Sequence, residues 1–366
     1  MSAYKVAALV SINGSVIVLF TVCAGALMTR VNIIDRYGSD SLGGMIFNLF
    51  LPMLLFTEII ESLNISKFSE FGMLFLFCLI HISIGCLIGF IFGKITRASS
   101  KNLKLIMISI SFQETTAIPL IFASVLGDSS IANGISHFTE DALSYVLIFT
   151  VFTTFFKWTL AYWIIKSTQE TQGNQEKLVE DHEMELEKQE KKKPEGFLWT
   201  IKKIMNPPTC ATLLAIPLAL IPYSRQYIFY GSGAILSGNI FKAFSTMGST
   251  VSPLICILLG NKVSYGYPPT ANLSNLHIII IILGKQVIMP AIGLCLTIFF
   301  YKEGVIDKVM ALMVSIMYAA PTSKQILMMC GTDKQLSDNV SKIFLIMYVF
   351  AVVPIMVWTM IFIIVI

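Results

Sequence analysis

The chain alternates long apolar runs with short polar breaks, and each long run has about the length of a membrane-spanning helix. Apolar stretches cover residues 6–28, 42–56, 71–93, 105–126, 142–165, 204–222, 243–260, 276–301, 309–330 and 344–366. Crossing the hydrocarbon core takes about 20 apolar residues, so the pattern predicts ten transmembrane spans, numbered here in chain order. Backbone exposed to lipid must satisfy its own hydrogen bonds, which leaves helices or a closed barrel. The short alternating segments of a barrel are absent. The expected class is therefore an all-α multi-pass membrane protein. The first run is too long for a signal-peptide core and lacks an evident small-residue cleavage site, so it reads as a retained signal-anchor.

Composition narrows the function. Hydrophobic residues make up 55% of the 366 residues and charged residues 13%, against about 25% charged in a typical soluble domain. That density cannot coat a water-facing surface of this size. A soluble enzyme, a disordered protein and a nucleic-acid binder are all disfavoured, and the lipid bilayer is the expected environment. The seven cysteines lie within apolar runs without a Cys-x-x-Cys spacing, so they read as core residues rather than disulfides or zinc ligands. No Gly-rich phosphate loop, metal-ligand cluster or nucleophile–base pair stands in the sequence. No catalytic residue, metal or cofactor is expected, and the chain is not read as an enzyme.

Charge sets the expected orientation. With the N-terminus outside, the cytoplasmic loops would hold 17 Lys and Arg and the opposite side 6. Positive charge stays in the cytoplasm, so both termini are expected on the non-cytoplasmic side. Residues 167–203 form a mixed-charge cytoplasmic linker. It divides the chain into 1–166 and 204–366, each with five spans. Five is odd, so the second half must enter the membrane inverted, a common construction for secondary transporters. The prolines support the repeat. Pro52 and Pro119 lie 67 residues apart on spans 2 and 4, and Pro253 and Pro321 lie 68 apart on spans 7 and 9.

Spans 4 and 9 carry the candidate chemistry. A proline removes a helical N–H and frees a carbonyl that needs a partner in lipid. Near Pro119 stand Gln113, Glu114, Thr115 and Thr116; after Pro321 stand Thr322, Ser323, Lys324 and Gln325. Polar side chains at mid-membrane proline breaks predict two broken helices that cross, exposing half-helix ends suited to ions and polar groups. A charge at mid-membrane costs about 2.5–3.5 kcal/mol. Glu114 and Lys324 therefore either pair with each other to hold the crossing or serve a ligand, Lys324 drawing an anion and Glu114 balancing it. Asn48, Pro52 and Pro253 are assigned to the facing side of the cavity. Lys157 and Lys285 lie inside spans and read as snorkelling, with Lys285 and Gln286 as further candidates for the cavity. His81 reads as a helix-packing residue. Gly85, Gly89 and Gly93 recur every four residues and predict close packing of span 3. Sequons stand at Asn13, Asn64, Asn272 and Asn339.

Several stretches carry a family resemblance. NPPTCATLLAIPLALIPYSRQYIF and STMGSTVSPLICILLGNKV look like spans 6 and 7 of the auxin efflux carrier family, PIN-LIKES branch. MYAAPTSKQILMMCG resembles the ninth-span crossing, FNLFLPMLLF the second span and SYVLIFTVFTTFFKWTLAYW the fifth. The resemblance covers nearly all of the chain outside the linker. It implies two inverted five-helix repeats, a scaffold of spans 1, 2, 6 and 7, and a transport domain crossing where Pro119 meets Pro321. It also implies an elevator-type motion, a homodimer and an organic acid such as indole-3-acetate as substrate. Lys324 occupies the place of a lysine found after the second crossing proline in PIN-type members. The short linker resembles endoplasmic-reticulum members more than those of the plasma membrane. One departure is marked. The family's Gly-Asn…Gly-Asn-x-Pro pattern on span 4 reads QETTAIP here, with Glu114 and Ala117 in place of the asparagines. The expected function is a secondary transporter of an organic anion. A proton- or Na⁺-coupled carrier using Glu114 is one alternative, and a membrane ligand sensor signalling through the central loop is another.

Overall fold

The computed structural model describes residues 16, 19–62, 68–115, 117–127, 132, 135–165, 207–221, 229, 238–264, 272–330 and 333–366. Among these the protein is all helical. The helices are α1 (Leu19–Arg30), α2 (Tyr37–Glu61) and α3 (Phe68–Ile95). Then come α4 (Ser100–Ser111), α5 (Ala117–Gly127) and α6 (Phe138–Ile165). The second half holds α7 (Pro207–Leu220), α8 (Asn239–Asn261) and α9 (Asn275–Lys302). It ends with α10 (Lys308–Ala319), α11 (Ile326–Met329) and α12 (Lys334–Val365). The linker 167–203, Asn13, Asn64 and Thr116 lie outside the described residues.

Among the described residues, five helices, α2, α3, α6, α8 and α9, are long and apolar enough to cross a membrane. A sixth candidate, α12, bends by 49° between Ala351 and Val353. Pro354 stands within it, and its ring displaces the carbonyl four residues back. Spans 4 and 9 are each split, into α4 and α5 and into α10 and α11. Span 2 is longer than its apolar run suggests. Its helix continues past Phe56 to Glu61 and takes in Glu58.

The polarity is that of a protein in lipid. Phe20, Leu87, Phe299 and Val353 are more than half exposed, while Lys157, Lys285, Glu114 and Lys324 are each at most 5% exposed. Every residue of α10 from Val309 to Ala319 is buried, so this half-helix is wrapped by protein. Small residues set the closest approaches. A Cβ on Gly85 would stand 2.6 Å from the Ser111 Cα and one on Gly89 2.5 Å from the Met107 Cα. The four-residue glycine stripe of α3 thus presses on α4, as expected from its spacing. Gly25 and Gly260 do the same between α1 and α8, each against the other helix's backbone.

Among the described residues, three helices contain one π-helical turn: Ile46–Phe50 in α2, Lys157–Ala161 in α6 and Gly284–Ile288 in α9. Such insertions concentrate at functional sites because the extra residue re-aims its neighbours. Two of the three hold a buried lysine.

Candidate functional site

Helix α4 stops at Phe112, whose backbone is extended at φ −112°, ψ 110°. Helix α10 stops at Ala320 in the same way, at φ −65°, ψ 143°. The two extended segments run antiparallel and join backbone to backbone, with Gln113 opposite Thr322. The Glu114 N–H donates to the Pro321 carbonyl at 2.7 Å, and the Ser323 N–H donates to the Phe112 carbonyl at 3.0 Å. A two-residue ladder in the membrane interior is tolerated because it is enclosed by protein.

The carbonyls freed at the two breaks find donors from four directions. Ser109 O accepts from Thr322 Oγ1 at 2.6 Å, and Ile110 O from Lys285 Nζ at 2.9 Å. Thr115 O accepts from Thr150 Oγ1 of α6 at 3.1 Å, and Thr322 O from Tyr348 of α12 at 3.3 Å. The Thr322 N–H turns to the Met347 sulfur at 3.3 Å. Spans 5, 8 and 10 therefore hold the crossing open.

Pro321 sits in the crossing, as expected. Pro119 lies beyond the span-4 break. It is the third residue of α5, in the first turn, where no intrahelical N–H is needed. The span-4 break is made by Phe112–Thr115, ahead of the proline. The crossing is thus Gln113 with Thr322 rather than proline with proline.

Glu114 and Lys324 are brought together through backbone. The Lys324 N–H points at Glu114 Oε2 from 3.4 Å, while the ammonium of Lys324 donates to Ser252 of α8 at 2.7 Å. Lys157 does not snorkel. It is 2% exposed, and its ammonium donates to Gln325 Oε1 at 3.1 Å. The π turn at Lys157 places it under the crossing, where its field meets those of Glu114 and Glu58. Glu58 is the ionisable residue that the sequence pattern misses, because its apolar run ends at Phe56. The signal available was a second carboxylate six residues beyond Pro52.

Two side chains at the crossing are buried without a partner. Gln113 is 1% exposed and neither amide atom is hydrogen-bonded; Ser323 is 1% exposed and its hydroxyl is likewise unpaired. Buried polar groups are otherwise almost always satisfied, so these two are available to a ligand. On the facing side, Ser252 reaches the crossing rather than its neighbour Pro253, which is exposed. Pro52 is half-buried. Asn48 is exposed, and its amide is spent on the Gly44 carbonyl at 2.9 Å.

A second polar cluster lies among the ends of α4, α9 and α12. Asn339 Nδ2 donates to Asn272 Oδ1 at 3.0 Å and to Asn102 Oδ1 at 3.2 Å. Asn102 Nδ2 donates to Asn272 Oδ1 at 3.3 Å, and Asn339 Oδ1 accepts from the Leu273 N–H at 3.1 Å. The sequons at Asn272 and Asn339 thus belong to a packed amide knot, with Asn339 only 1% exposed.

The family described as "Membrane transport protein" matches residues 11–359. Protein PIN-LIKES 6 of Arabidopsis thaliana is 23% identical, over 83% of this chain and 81% of its own. Protein PIN-LIKES 5 of the same plant is 22% identical, over 94% and 95%. An uncharacterised transporter of Schizosaccharomyces pombe is 19% identical, over 89% and 88%.

Proposed function

Since the chain belongs to the membrane transport protein family, that of the auxin efflux carriers, we propose that it is a secondary carrier moving an organic anion by alternating access. It is an integral multi-pass membrane transporter. In this reading the halves 1–166 and 204–366 are inverted five-span repeats joined by the cytoplasmic linker 167–203. The termini face away from the cytoplasm, and two copies form a homodimer, in the endoplasmic reticulum by preference. The motion is elevator-like, the crossing moving against α1, α2, α7 and α8.

The observation that carries the reading is the pair of unpartnered groups at the crossing, Gln113 and Ser323, beside the buried ammonium of Lys324. Amide and hydroxyl donors next to a buried cation suit a carboxylate. Indole-3-acetate is the proposed substrate, with the carboxylate at Lys324. Lys324 would leave Ser252 when the anion arrives.

The test is flux of labelled indole-3-acetate into proteoliposomes. Saturable flux in the wild type, lowered at least ten-fold in Lys324→Ala, supports the assignment. No flux under any pH or Na⁺ gradient ends it.

Coupling to a cation is favoured by one observation. Glu114 and Glu58 share the electrostatic field of Lys157. With Lys324, two lysines and two carboxylates sum to zero formal charge. An arriving anion unbalances the site by one, and a proton or Na⁺ on a carboxylate restores it. Glu114→Gln would then abolish dependence of flux on the gradient.

A further inference from the structure

A third buried lysine, Lys285, makes no hydrogen bond to the groups around Lys157. Lys285 is 0% exposed on the π turn of α9, and His81 is 0% exposed on α3. Lys285 Nζ stands 3.1 Å from His81 Nε2 and 2.9 Å from the Ile110 carbonyl. An ammonium and an imidazolium both only donate through these nitrogens. The 3.1 Å bond needs one donor and one acceptor, so the pair holds at most one positive charge.

The other ring nitrogen, His81 Nδ1, is buried and has no hydrogen-bond partner. It is orphaned in either tautomer. With Lys285 charged, Nε2 accepts and Nδ1 carries a proton it cannot share. With Lys285 neutral, Nε2 donates and Nδ1 presents an unused lone pair. Leaving such a group buried and unpaired destabilises the fold unless the site is used.

We propose that His81 and Lys285 form a proton-binding pair in the membrane core, separate from Glu114. The proton arrives at Nδ1, and the proton on Nε2 passes to the Lys285 amine. The ring changes tautomer, and neutral amine becomes ammonium. Nothing is oxidised or reduced, and the pair gains one charge. That charge stands on the carbonyl end of α4, whose last turn carries negative partial charge. Proton occupancy thus bears directly on the half-helix that leads into the crossing.

The groups that face the pair are committed elsewhere, and one charge reaches it. From α10, Tyr318 packs its ring edge on His81 with centroids 4.3 Å apart, and its hydroxyl is committed to the Phe77 carbonyl at 2.8 Å. On α3, Cys78 is engaged with Thr153 and Cys86 with Ser111. From α6 the charge that reaches Lys285 is Lys157, whose own field meets Glu114 and Glu58. From α12, Trp358 donates to the Gln286 carbonyl at 2.9 Å and brings no charge.

The purpose assigned to this site rests on the carrier reading, but proton binding is measurable without any solute. Unfolding midpoints of the purified full-length protein in detergent, followed from about pH 5 to pH 10, give the number of protons linked to folding. Lys285→Gln keeps an amide donor for Ile110 and should lower that number by about one. His81→Gln should displace the same step along the pH axis. A Lys285→Gln profile that parallels the wild type, offset uniformly, overturns the proposal. Should Lys285→Gln fail to fold, an unchanged profile in His81→Gln overturns it equally. In proteoliposomes, dependence of indole-3-acetate flux on a pH gradient should fall in Lys285→Gln while the share owed to Glu114 remains, and gradient dependence equal to the wild type overturns the coupling. If indole-3-acetate is not carried at all, the substrate assignment falls while the unfolding profile still decides the proton site.

Discussion

Two buried polar clusters differ in one respect that separates scaffold from site. In the knot of Asn102, Asn272 and Asn339, every amide meets another amide or the Leu273 backbone. At the crossing the backbone groups are paired as thoroughly, yet the side chains of Gln113 and Ser323 are left without partners. Desolvation is costly for the buried members of both, Asn102 and Asn339 in the knot and Gln113 and Ser323 at the crossing. The knot recovers that cost by internal hydrogen bonds. The crossing recovers it only when something else occupies it. Burial of a polar residue in a membrane protein therefore does not by itself mark function; an unmet hydrogen bond beside it is what makes the crossing the candidate.

Removing one member of the knot should give the largest stability effect. Asn339→Ala strips partners from the buried Asn102 and Leu273 N–H and from the exposed Asn272 at once. A loss of about 2–3 kcal/mol is expected from orphaning buried groups, seen as a lower unfolding midpoint, while flux per folded molecule stays near wild type. A large loss of flux with unchanged stability would erase the distinction between the clusters.

The crossing should respond in the opposite way. Gln113→Met removes two unsatisfied atoms at similar volume. Stability is expected to hold or rise by about 1 kcal/mol, while indole-3-acetate flux falls several-fold. Ser323→Ala should follow the same direction more weakly. A destabilised Gln113→Met would mean that the glutamine is a structural member after all.

Ser252→Ala sharpens the picture at the facing helix. It removes the acceptor that holds the Lys324 ammonium at 2.7 Å, worth about 1.5–3 kcal/mol for a charged donor. If that bond must break for the anion to bind, the variant should show tighter apparent affinity for indole-3-acetate, with little change in midpoint once ligand is present. The smallest effect is expected beside the knot. Lys101 pairs with Asp333 at 3.1 Å with both side chains about one-seventh exposed. Lys101→Ala should cost no more than about 1 kcal/mol, checked by the same unfolding assay and weakened further by salt.

Much of the crossing was legible because charge inside an apolar run is conspicuous. Glu114 and Lys324 announce themselves in this way, Gln113 as an uncharged polar neighbour and Pro321 as a helix breaker. Pro119 misled, since proline in the first turn of a helix fits without breaking it. Lys157 and Lys285 were visible as intramembrane lysines but not as buried ones. Their partners, Gln325 and His81, lie 168 and 204 residues away along the chain. Glu58 was hidden by the end of its apolar run, because hydropathy marks where lipid-compatible residues stop, not where the helix stops.

The sequence by itself determined that the chain is helical, lives in a membrane, is interrupted at spans 4 and 9, and keeps charge at those interruptions. These follow from local composition, since lipid excludes unpaired backbone and exposed charge wherever they occur. The tertiary structure alone decided which polar groups are satisfied. A hydrogen bond between Asn102 and Asn339 joins residues 237 apart, and only the packed helices bring them within reach. The same packing leaves Gln113, Ser323 and the second nitrogen of His81 unmet, so the difference between scaffold and site arises when the helices close on one another.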